Sequence, residues 1–219
     1  MAAHSPLDQQ HSPLVEAVND VIGRFEAMSV ARDAAVTDGR QVIRLAANTV
    51  RALHRAETDT AVDLLAQARA LLEQIRAQTA PYPNLYWAGY VQDAMKEYAE
   101  AEITAALLRG TPIPDAGQLR VEDAAWLNAL AESGSELRRD VLDALRRDET
   151  ARAEQLLEAM DAIYSVLVTV DFPDAVTGGL RRTTDQFRAV LERTRGDVTV
   201  SVRQSRLEHA LREAEQRGR

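Results

Sequence analysis

Apolar residues recur at three- and four-residue spacing along almost the whole chain, and strand-like alternation of apolar and polar residues is nearly absent. The first spacing places apolar side chains on one face of an α-helix, whereas a strand alternates every two residues. The β-branched segment VTVSV at 198–202 has the composition of a strand, but its flanks are helical and it has no partner strand. We therefore assign it to a helix and predict an all-α protein.

Breaks in this pattern define seven helices with short connections between them. The predicted ranges are 13–56, 58–79, 85–109, 120–147, 151–170, 180–195 and 197–216. Thr58 or Asp59 is expected to cap the second helix and Gly110 to end the third, while Gly196 and Asp197 separate the last two. Long helices with short connections favour an antiparallel bundle in one domain, 13–217, after a disordered segment at 1–12.

Composition limits the functions that such a bundle can have. A chain of 219 residues can bury a sizeable core. No apolar run is long enough for a membrane-spanning helix, and the start, MAAHSPLDQQHSPL, lacks the basic and apolar regions of a signal peptide. The absence of cysteine excludes disulfides and thiolate metal sites and fits a cytoplasmic location. The net charge of −8 argues against a uniformly basic nucleic-acid-binding surface.

Acidic residues follow the buried face of the third predicted helix. The apolar stripe of this helix consists of Tyr90, Ala94, Tyr98, Ala101, Ala105 and Leu108. Asp93, Glu97 and Glu100 each precede a member of the stripe, so they form a second line directly beside the core. Glu102 points to the other side and is expected to be solvated. Lys96, the only lysine in the chain, has the helical spacing to pair with Asp93 or Glu100.

The fourth predicted helix repeats this arrangement. Its acidic line consists of Glu132, Glu136, Asp140 and Asp143, beside an apolar stripe that includes Gly134, a residue tolerated in a helix if another backbone or a ligand comes close. Two adjacent antiparallel helices could therefore direct Glu97, Glu100, Glu132 and Glu136 at one space, where hard oxygen ligands suit Mg²⁺ or Mn²⁺. A di-iron site is disfavoured because no Glu-x-x-His occurs. Spacing alone leaves open the alternative that these acids are solvated helix faces.

Arginines form two local concentrations in this acidic chain. Arg40, Arg44, Arg51 and Arg55 fall within about 60° of one another on the first helix. The segment 181–206 contains seven arginines against three acids, among them Arg181, Arg182, Arg193 and Arg195. These eight residues are candidates for binding phosphates, and charge balance at helix ends is the alternative. For the aromatic group Tyr82, Tyr86, Trp87 and Tyr90, packing is favoured over base stacking.

Taken together, these segments resemble the Translin/Trax family. The matching pieces are VRALHRAE, YWAGYVQDAMKEYAEA and WLNALAESGSELRRDVLDALRR, with DFPDAVTGGLRR and ERTRGDVTVSVRQ resembling the archaeal-type members. They cover residues 30–210 in one collinear order. The resemblance implies a seven-helix bundle that assembles into a hollow homo-oligomer, usually an octamer, and binds single-stranded RNA or DNA.

The resemblance also implies roles for the acids. In this family, Trax-type subunits are Mg²⁺-dependent endoribonucleases, whereas Translin-type subunits mainly bind nucleic acid. The Trax catalytic acids lie in an E-Y-x-E motif and a D-x-x-x-E motif. Here E-Y-A-E places Glu97 and Glu100 on the first motif, and E-S-G-S-E places Glu132 and Glu136 on the second. Glu132 replaces the usual aspartate and is one methylene longer.

By this resemblance, the four glutamates hold Mg²⁺ or Mn²⁺ and hydrolyse RNA inside the particle, while the arginines hold the single strand. One alternative is a non-catalytic Translin-like particle that binds RNA or single-stranded DNA. Another is an all-α nucleotide pyrophosphohydrolase, which also uses E-x-x-E, but its following E-x-x-D motif is one residue too long here, from Glu136 to Asp140. The third is a helical scaffold that binds neither RNA nor metal.

Overall fold

A computed structural model describes the backbone of residues 6–217 and the side chains of residues 13–217. Within that range the chain forms nine α-helices and no strand, which confirms the all-α prediction. Six helices are long: α1 (Pro6–His54), α2 (Thr58–Thr79), α4 (Gly89–Arg109), α6 (Asp123–Arg146), α7 (Thr150–Leu167) and α9 (Leu180–Arg217). Three single-turn helices lie in the connections: α3 (Pro83–Tyr86), α5 (Ala116–Leu119) and α8 (Asp174–Thr177).

The predicted separation of the last two helices is wrong, because α9 continues through Gly196. Leu191, Thr194 and Val198 are buried at three- and four-residue spacing, so one buried face runs unbroken past the glycine. Packing of that face outweighs the cost of about 1 kcal/mol for a glycine inside a helix. Asp197 is not a cap; its carboxylate accepts a hydrogen bond from Arg138 of α6 at 2.8 Å. Six long and three short helices therefore replace the seven predicted.

The first helix begins at Pro6 rather than at Pro13. The range 6–12, which the sequence assigns to a disordered segment, is helical, whereas residues 1–5 lie outside the described residues. A proline suits a helix start because it has no amide hydrogen to leave unpaired. Pro13 lies inside the helix, where it removes one intrahelical hydrogen bond. The buried core begins further along, at Ala35.

Helix α4 lies at the centre of the bundle. It packs between α1 and α6, and α6 in turn packs against α7 and α9. Tyr98, near the middle of α4, is fully buried. Gly110 ends α4 with a positive φ of 66°, as the sequence predicts. In the part of the chain that the structure describes, no helix is both long enough and apolar enough to cross a membrane.

A glycine permits close contact between α6 and α9. A Cβ atom added to Gly134 of α6 would lie 2.5 Å from Cζ of Phe187, a fully buried residue of α9. The absence of a side chain therefore makes room for the aromatic ring. The sequence suggested a backbone or a ligand close to this glycine, whereas the structure places an aromatic side chain there.

Candidate functional site

Three glutamates from two helices converge where α4 packs on α6. Glu97 and Glu100 lie on α4 and Glu132 lies on α6, and all three are partly buried. One carboxylate oxygen from each lies within 4.8 Å of the other two. We call these three residues the carboxylate cluster. Converging oxygens are the ligands that hard cations such as Mg²⁺ and Mn²⁺ prefer.

Lys96 partly neutralises the carboxylate cluster. Its Nζ lies 3.1 Å from Oε1 of Glu97 and 2.5 Å from Oε2 of Glu132. The sequence suggested Asp93 or Glu100 as partners, but the side chain reaches across to α6 instead. Burial lowers the pKa of Lys96, whereas Glu132 and Glu97 raise it by more, so the amine is held in its charged form. One lysine against three carboxylates leaves the cluster with excess negative charge.

Glu100 has a strongly raised pKa. Burial is the largest cause, and the negative charges of Glu132, Glu97 and Glu136 add to it, raising the pKa of Glu100 to about 8 against the opposing charge of Lys96. At neutral pH this carboxyl therefore retains a proton that a bound cation would displace. Such a shift at a partly buried acid is typical of functional sites.

A buried hydroxyl fixes the two helices at the carboxylate cluster. Oγ of Ser133 lies 2.7 Å from the backbone oxygen of Ala129 on its own helix and 3.1 Å from the backbone oxygen of Glu100 on α4. Ser133 is fully buried and adjoins Glu132 in the chain. The backbone positions of Glu100 and Glu132 are therefore connected through a single polar contact.

Glu136 and Asp140, one and two turns beyond Glu132, surround a histidine from α1. The side chain of His54 is only 2% exposed. Its Nε2 lies 3.1 Å from Oε2 of Glu136, and its Nδ1 lies 2.9 Å from Oδ2 of Asp140. The contact with Asp140 is too poorly aligned for a regular hydrogen bond, so we classify it as an ion pair on the basis of the distance between Nδ1 and Oδ2. We call these three residues the His54 cluster.

The His54 cluster holds a charged imidazole. Asp140 has the largest effect and Glu136 the next, and together they raise the pKa of His54 to about 9 although burial lowers it. At neutral pH a positive ring therefore lies between two carboxylates.

The structure thus brings Glu97, Glu100 and Glu132 together, as the sequence predicts, but gives Glu136 a separate partner. The sequence did not identify His54 as a site residue. Its position near the end of an amphipathic helix is the only indication, and this position does not show which side chains the histidine contacts.

Glu102 and Asp93 lie outside the carboxylate cluster. Glu102 faces away from it, as predicted, but is not merely solvated: Tyr98 donates a hydrogen bond to its Oε1 at 2.7 Å, and Nη2 of Arg69 lies 3.5 Å from the same oxygen. This contact joins α4 to α2. Asp93 is exposed at the first turns of α4.

All eight candidate arginines are exposed, but they differ in their partners. Five are engaged: Arg55 with Glu57, Arg51 with Asn48, Arg181 with Asp171, Arg195 with Asp161, and Arg193 with the backbone oxygen of Ala189. Arg40, Arg44 and Arg182 contact no acidic side chain in the described part of the chain. Arg51 and Arg193 bond only neutral groups, so these two and the three unengaged guanidinium groups keep a positive charge for a ligand.

The aromatic group at the start of α4 divides into packed and exposed members. Tyr82, Tyr86 and Tyr90 are partly buried, and the hydroxyl of Tyr86 donates a hydrogen bond to Glu122. Trp87 is 60% exposed. The expectation of packing therefore describes the tyrosines but not the tryptophan.

Comparison with known proteins places the chain in a family. No protein-family model matches it. The chain is 25% identical over 200 residues to the uncharacterized protein MJ0175 of Methanocaldococcus jannaschii, covering 90% of this chain and 88% of that protein. AfC3PO, solved in a complex with duplex RNA, is 30% identical with a TM-score of 0.79, and the match covers 87% of this chain and 98% of AfC3PO. AfC3PO is a Translin/Trax-family structure. The chain belongs to the Translin/Trax family.

A more distant solved structure shares the Translin/Trax fold. NeC3PO, solved in its apo form, is only 14% identical but has a TM-score of 0.77, with 91% of this chain and all of that chain covered. At this identity the likeness concerns the fold alone. The family resemblance suggested by E-Y-A-E and its companion segments is confirmed.

Proposed function

We propose that this protein binds single-stranded nucleic acid and cleaves RNA by metal-dependent hydrolysis of phosphodiester bonds. The observation that carries this proposal is the convergence of Glu97, Glu100 and Glu132 within 4.8 Å, at the positions where a Trax-like subunit carries its acids. AfC3PO, a family member with 30% identity, is known in a complex with duplex RNA. That complex supports nucleic acid, rather than a free nucleotide, as the ligand.

The residues fit a divalent cation by their chemistry. The carboxylate cluster offers three oxygen ligands, and the raised pKa of Glu100 reflects first its burial and then the negative charge of the neighbouring glutamates. Mg²⁺ or Mn²⁺ held by Glu97, Glu100 and Glu132 would stabilise developing charge on a phosphate and lower the pKa of a water. Glu136 supports the site from its place beside His54, because its charge also raises the pKa of Glu100.

The chain itself supplies orientation and charge around that site. Oγ of Ser133 contacts the backbone of both α4 and α6 beside the cluster, where the two helices pack against each other. Lys96 keeps Glu97 and Glu132 directed at a common point. Arg40 and Arg44, with no acidic partner among the described residues, provide contacts for phosphates along the strand.

We further propose that the protein acts as a homo-oligomer, an octamer by its family resemblance. The early part of α1 carries exposed apolar residues with nothing packed on them in the single chain: Leu14, Val15, Val18, Val21, Ile22, Phe25 and Val30. Leu14, Val18, Val21 and Phe25 follow spacings of four, three and four, which place them along one face of the helix. A second copy of the chain would cover this face. Light scattering of the wild type and of Val18→Glu/Phe25→Glu tests this, since the double variant should shift to smaller species.

The decisive experiment incubates end-labelled single-stranded RNA with the wild type, with Glu100→Gln and with Glu154→Gln, each in Mg²⁺, in Mn²⁺ and in EDTA. Glu154 is an exposed acid of α7, so its variant controls for loss of one charge. We expect cleavage by the wild type and by Glu154→Gln in either metal, and a loss on the order of 10³-fold in Glu100→Gln, equivalent to several kcal/mol of transition-state stabilisation. Absence of cleavage by the wild type in both metals would refute the nuclease activity.

The non-catalytic alternative gives a different result in the same samples. A particle that only binds would retain labelled RNA in fluorescence anisotropy without cutting it, and Glu100→Gln would bind as the wild type does. A nucleotide pyrophosphohydrolase would instead release pyrophosphate from nucleoside triphosphates and leave RNA intact. Parallel measurements of RNA binding, RNA cleavage and triphosphate hydrolysis therefore separate the three functions.

A further inference from the structure

An open cavity of about 510 Å³ adjoins the carboxylate cluster. Its walls come from the start of α4, the start of α6 and the turn between α8 and α9. Trp87 and Val176 lie among its lining residues, and so do Lys96 and Glu132. Since Lys96 and Glu132 also meet at the cluster, the cavity and the carboxylates are continuous. Its volume lies in the range of sites that bind small organic ligands.

The aromatic wall of this cavity is held in place while remaining uncovered. The ring of Trp87 packs edge-to-face on Tyr86, with centroids 5.2 Å apart and planes at 90°. Tyr86 is itself fixed by its hydrogen bond to Glu122. Trp87 nevertheless remains 60% exposed, and Val176 on the same cavity is 65% exposed. A flat aromatic ligand would cover this apolar area and stack on the indole.

Asn128, one polar residue of the cavity wall, already has its hydrogen bonds satisfied. Nδ2 of Asn128 donates to the backbone oxygens of Ala124 and Thr177, each at 2.8 Å, and its Oδ1 accepts from the hydroxyl of Thr183 at 2.7 Å. The Asn128 amide therefore contributes shape and not an unpaired group that could read the edge of a base. A ligand stacked on Trp87 therefore makes no new hydrogen bond with Asn128, and this part of the wall selects the ligand by its flat ring.

We propose that this cavity holds one nucleobase of a single strand, stacked on Trp87, while an adjoining phosphate lies at the carboxylate cluster. This inference rests on the proposed function, because it takes the cluster to be the place where a phosphodiester is bound. Lys96 and Glu132 connect the two positions, so a strand that reaches the cluster brings a neighbouring base to the cavity. Stacking of this kind accepts all four bases.

Tryptophan fluorescence tests the stacking directly. The chain has two tryptophans, and Trp126 is the partly buried one, so Trp126→Phe leaves Trp87 as the single tryptophan, which is excited selectively at a wavelength that tyrosine does not absorb. This variant, combined with Glu100→Gln to slow cleavage, is titrated in Mg²⁺ with labelled single-stranded homopolymers of each base and with a matched strand of abasic residues. Anisotropy reports binding, and emission at Trp87 reports stacking. We expect each homopolymer to quench Trp87 with the affinity that anisotropy gives, and the abasic strand to bind without quenching.

Substitution at Trp87 provides the second test. Trp87→Phe should retain most of the affinity, whereas Trp87→Ala should weaken binding of a base-containing strand about tenfold and of the abasic strand hardly at all. Binding with unchanged Trp87 emission, together with wild-type affinity in Trp87→Ala, would overturn the stacking site and leave the proposed function intact. Protection of Trp87 from acrylamide in the free protein would also overturn it, since a second copy would then cover the ring. Failure of every strand to bind in anisotropy would refute the proposed function itself, and the stacking site with it.

Discussion

Glu132 and Glu136 lie four residues apart on one face of α6, yet their surroundings differ. Glu132 contacts a lysine and belongs to a group of three carboxylates with excess negative charge, whereas Glu136 contacts a buried imidazole that also meets a second acid. A helical spacing of four describes both residues equally well. What distinguishes them is the side chain that the neighbouring helix presents, Lys96 from α4 or His54 from α1. The carboxylate cluster is open to a cation, and the His54 cluster already contains its positive charge.

The largest expected effect tests the excess charge in the carboxylate cluster. The pKa of Glu100 is raised from 4.5 to about 8, so the folded protein binds an extra proton between those values and loses stability as pH rises through them. Glu100→Gln cannot ionise. In EDTA we therefore expect its unfolding free energy to exceed that of the wild type by roughly 3 kcal/mol at pH 9 and by little at pH 4.5.

Urea unfolding of both proteins at the two pH values measures this difference. The titration of His54 contributes equally to the stability of both proteins, so it does not affect the difference. Equal stability at pH 9 would show that the cluster is already compensated in the absence of a cation. Such a result would mean that the carboxylate cluster, like the His54 cluster, has no uncompensated negative charge.

A second prediction tests the backbone between the two acids. Gly134→Ala would bring a Cβ atom within 2.5 Å of Phe187, so the ring or the α9 helix must shift. We expect a loss of about 2 kcal/mol in unfolding free energy, partly restored when Phe187→Leu is added. Gly23→Ala in α1 is the matched control, because no atom lies within 4 Å of its added Cβ, and it should be neutral or slightly stabilising. Denaturant unfolding of the wild type and these three variants tests this, and an unaffected Gly134→Ala would contradict the close packing.

A third prediction tests whether the positive charge of His54 stabilises the protein by pairing with Glu136 and Asp140. His54→Ala leaves two carboxylates without their cation and should cost roughly 1–2 kcal/mol at pH 6. His54 has its pKa raised from 6.5 to about 9, so its stabilising contribution is complete below pH 6.5 and is lost as pH rises through 9. The gap between the wild type and His54→Ala should therefore shrink at pH 10. His54→Gln, which can still reach Glu136, should fall between them in thermal and urea unfolding; an undiminished gap at pH 10 would instead indicate that packing of the ring dominates.

The smallest expected effect concerns the arginines around the sites. Replacing both Arg40 and Arg44 with glutamine should weaken single-strand binding a few-fold and reduce the slope of log affinity against log salt by about 1.4, at 0.7 for each phosphate contact. Arg55→Gln is the control, because its guanidinium already bonds Glu57 through two nitrogens. Anisotropy over a salt series measures both quantities. Equal slopes in the wild type and the double variant would exclude these arginines from the strand.

The sequence predicted those features of the fold that depend on residues within a single helix. The range 58–79 agrees with the α2 helix, and Gly110 ends α4, because these limits follow from local turn chemistry. The pairing of Glu97 and Glu100 with Glu132 was also anticipated, through the motifs of the family. The continuation of α9 past Gly196 was not, because tertiary packing decided it. The partners of Lys96 and Glu136 were not predicted either, because the spacing within one helix does not show which residues of a neighbouring helix lie opposite it.

Lys96 has a further chemical consequence. Because it is the only lysine in the chain, an amine-directed acylating reagent can modify just one side chain, and that side chain lies at the contact between α4 and α6. Acylation would remove the positive charge that Glu97 and Glu132 share. Only the neutral form of an amine is acylated, so Glu97 and Glu132, which hold Lys96 in its charged form, slow this reaction, and loss of either contact can be detected as faster acylation of that one side chain.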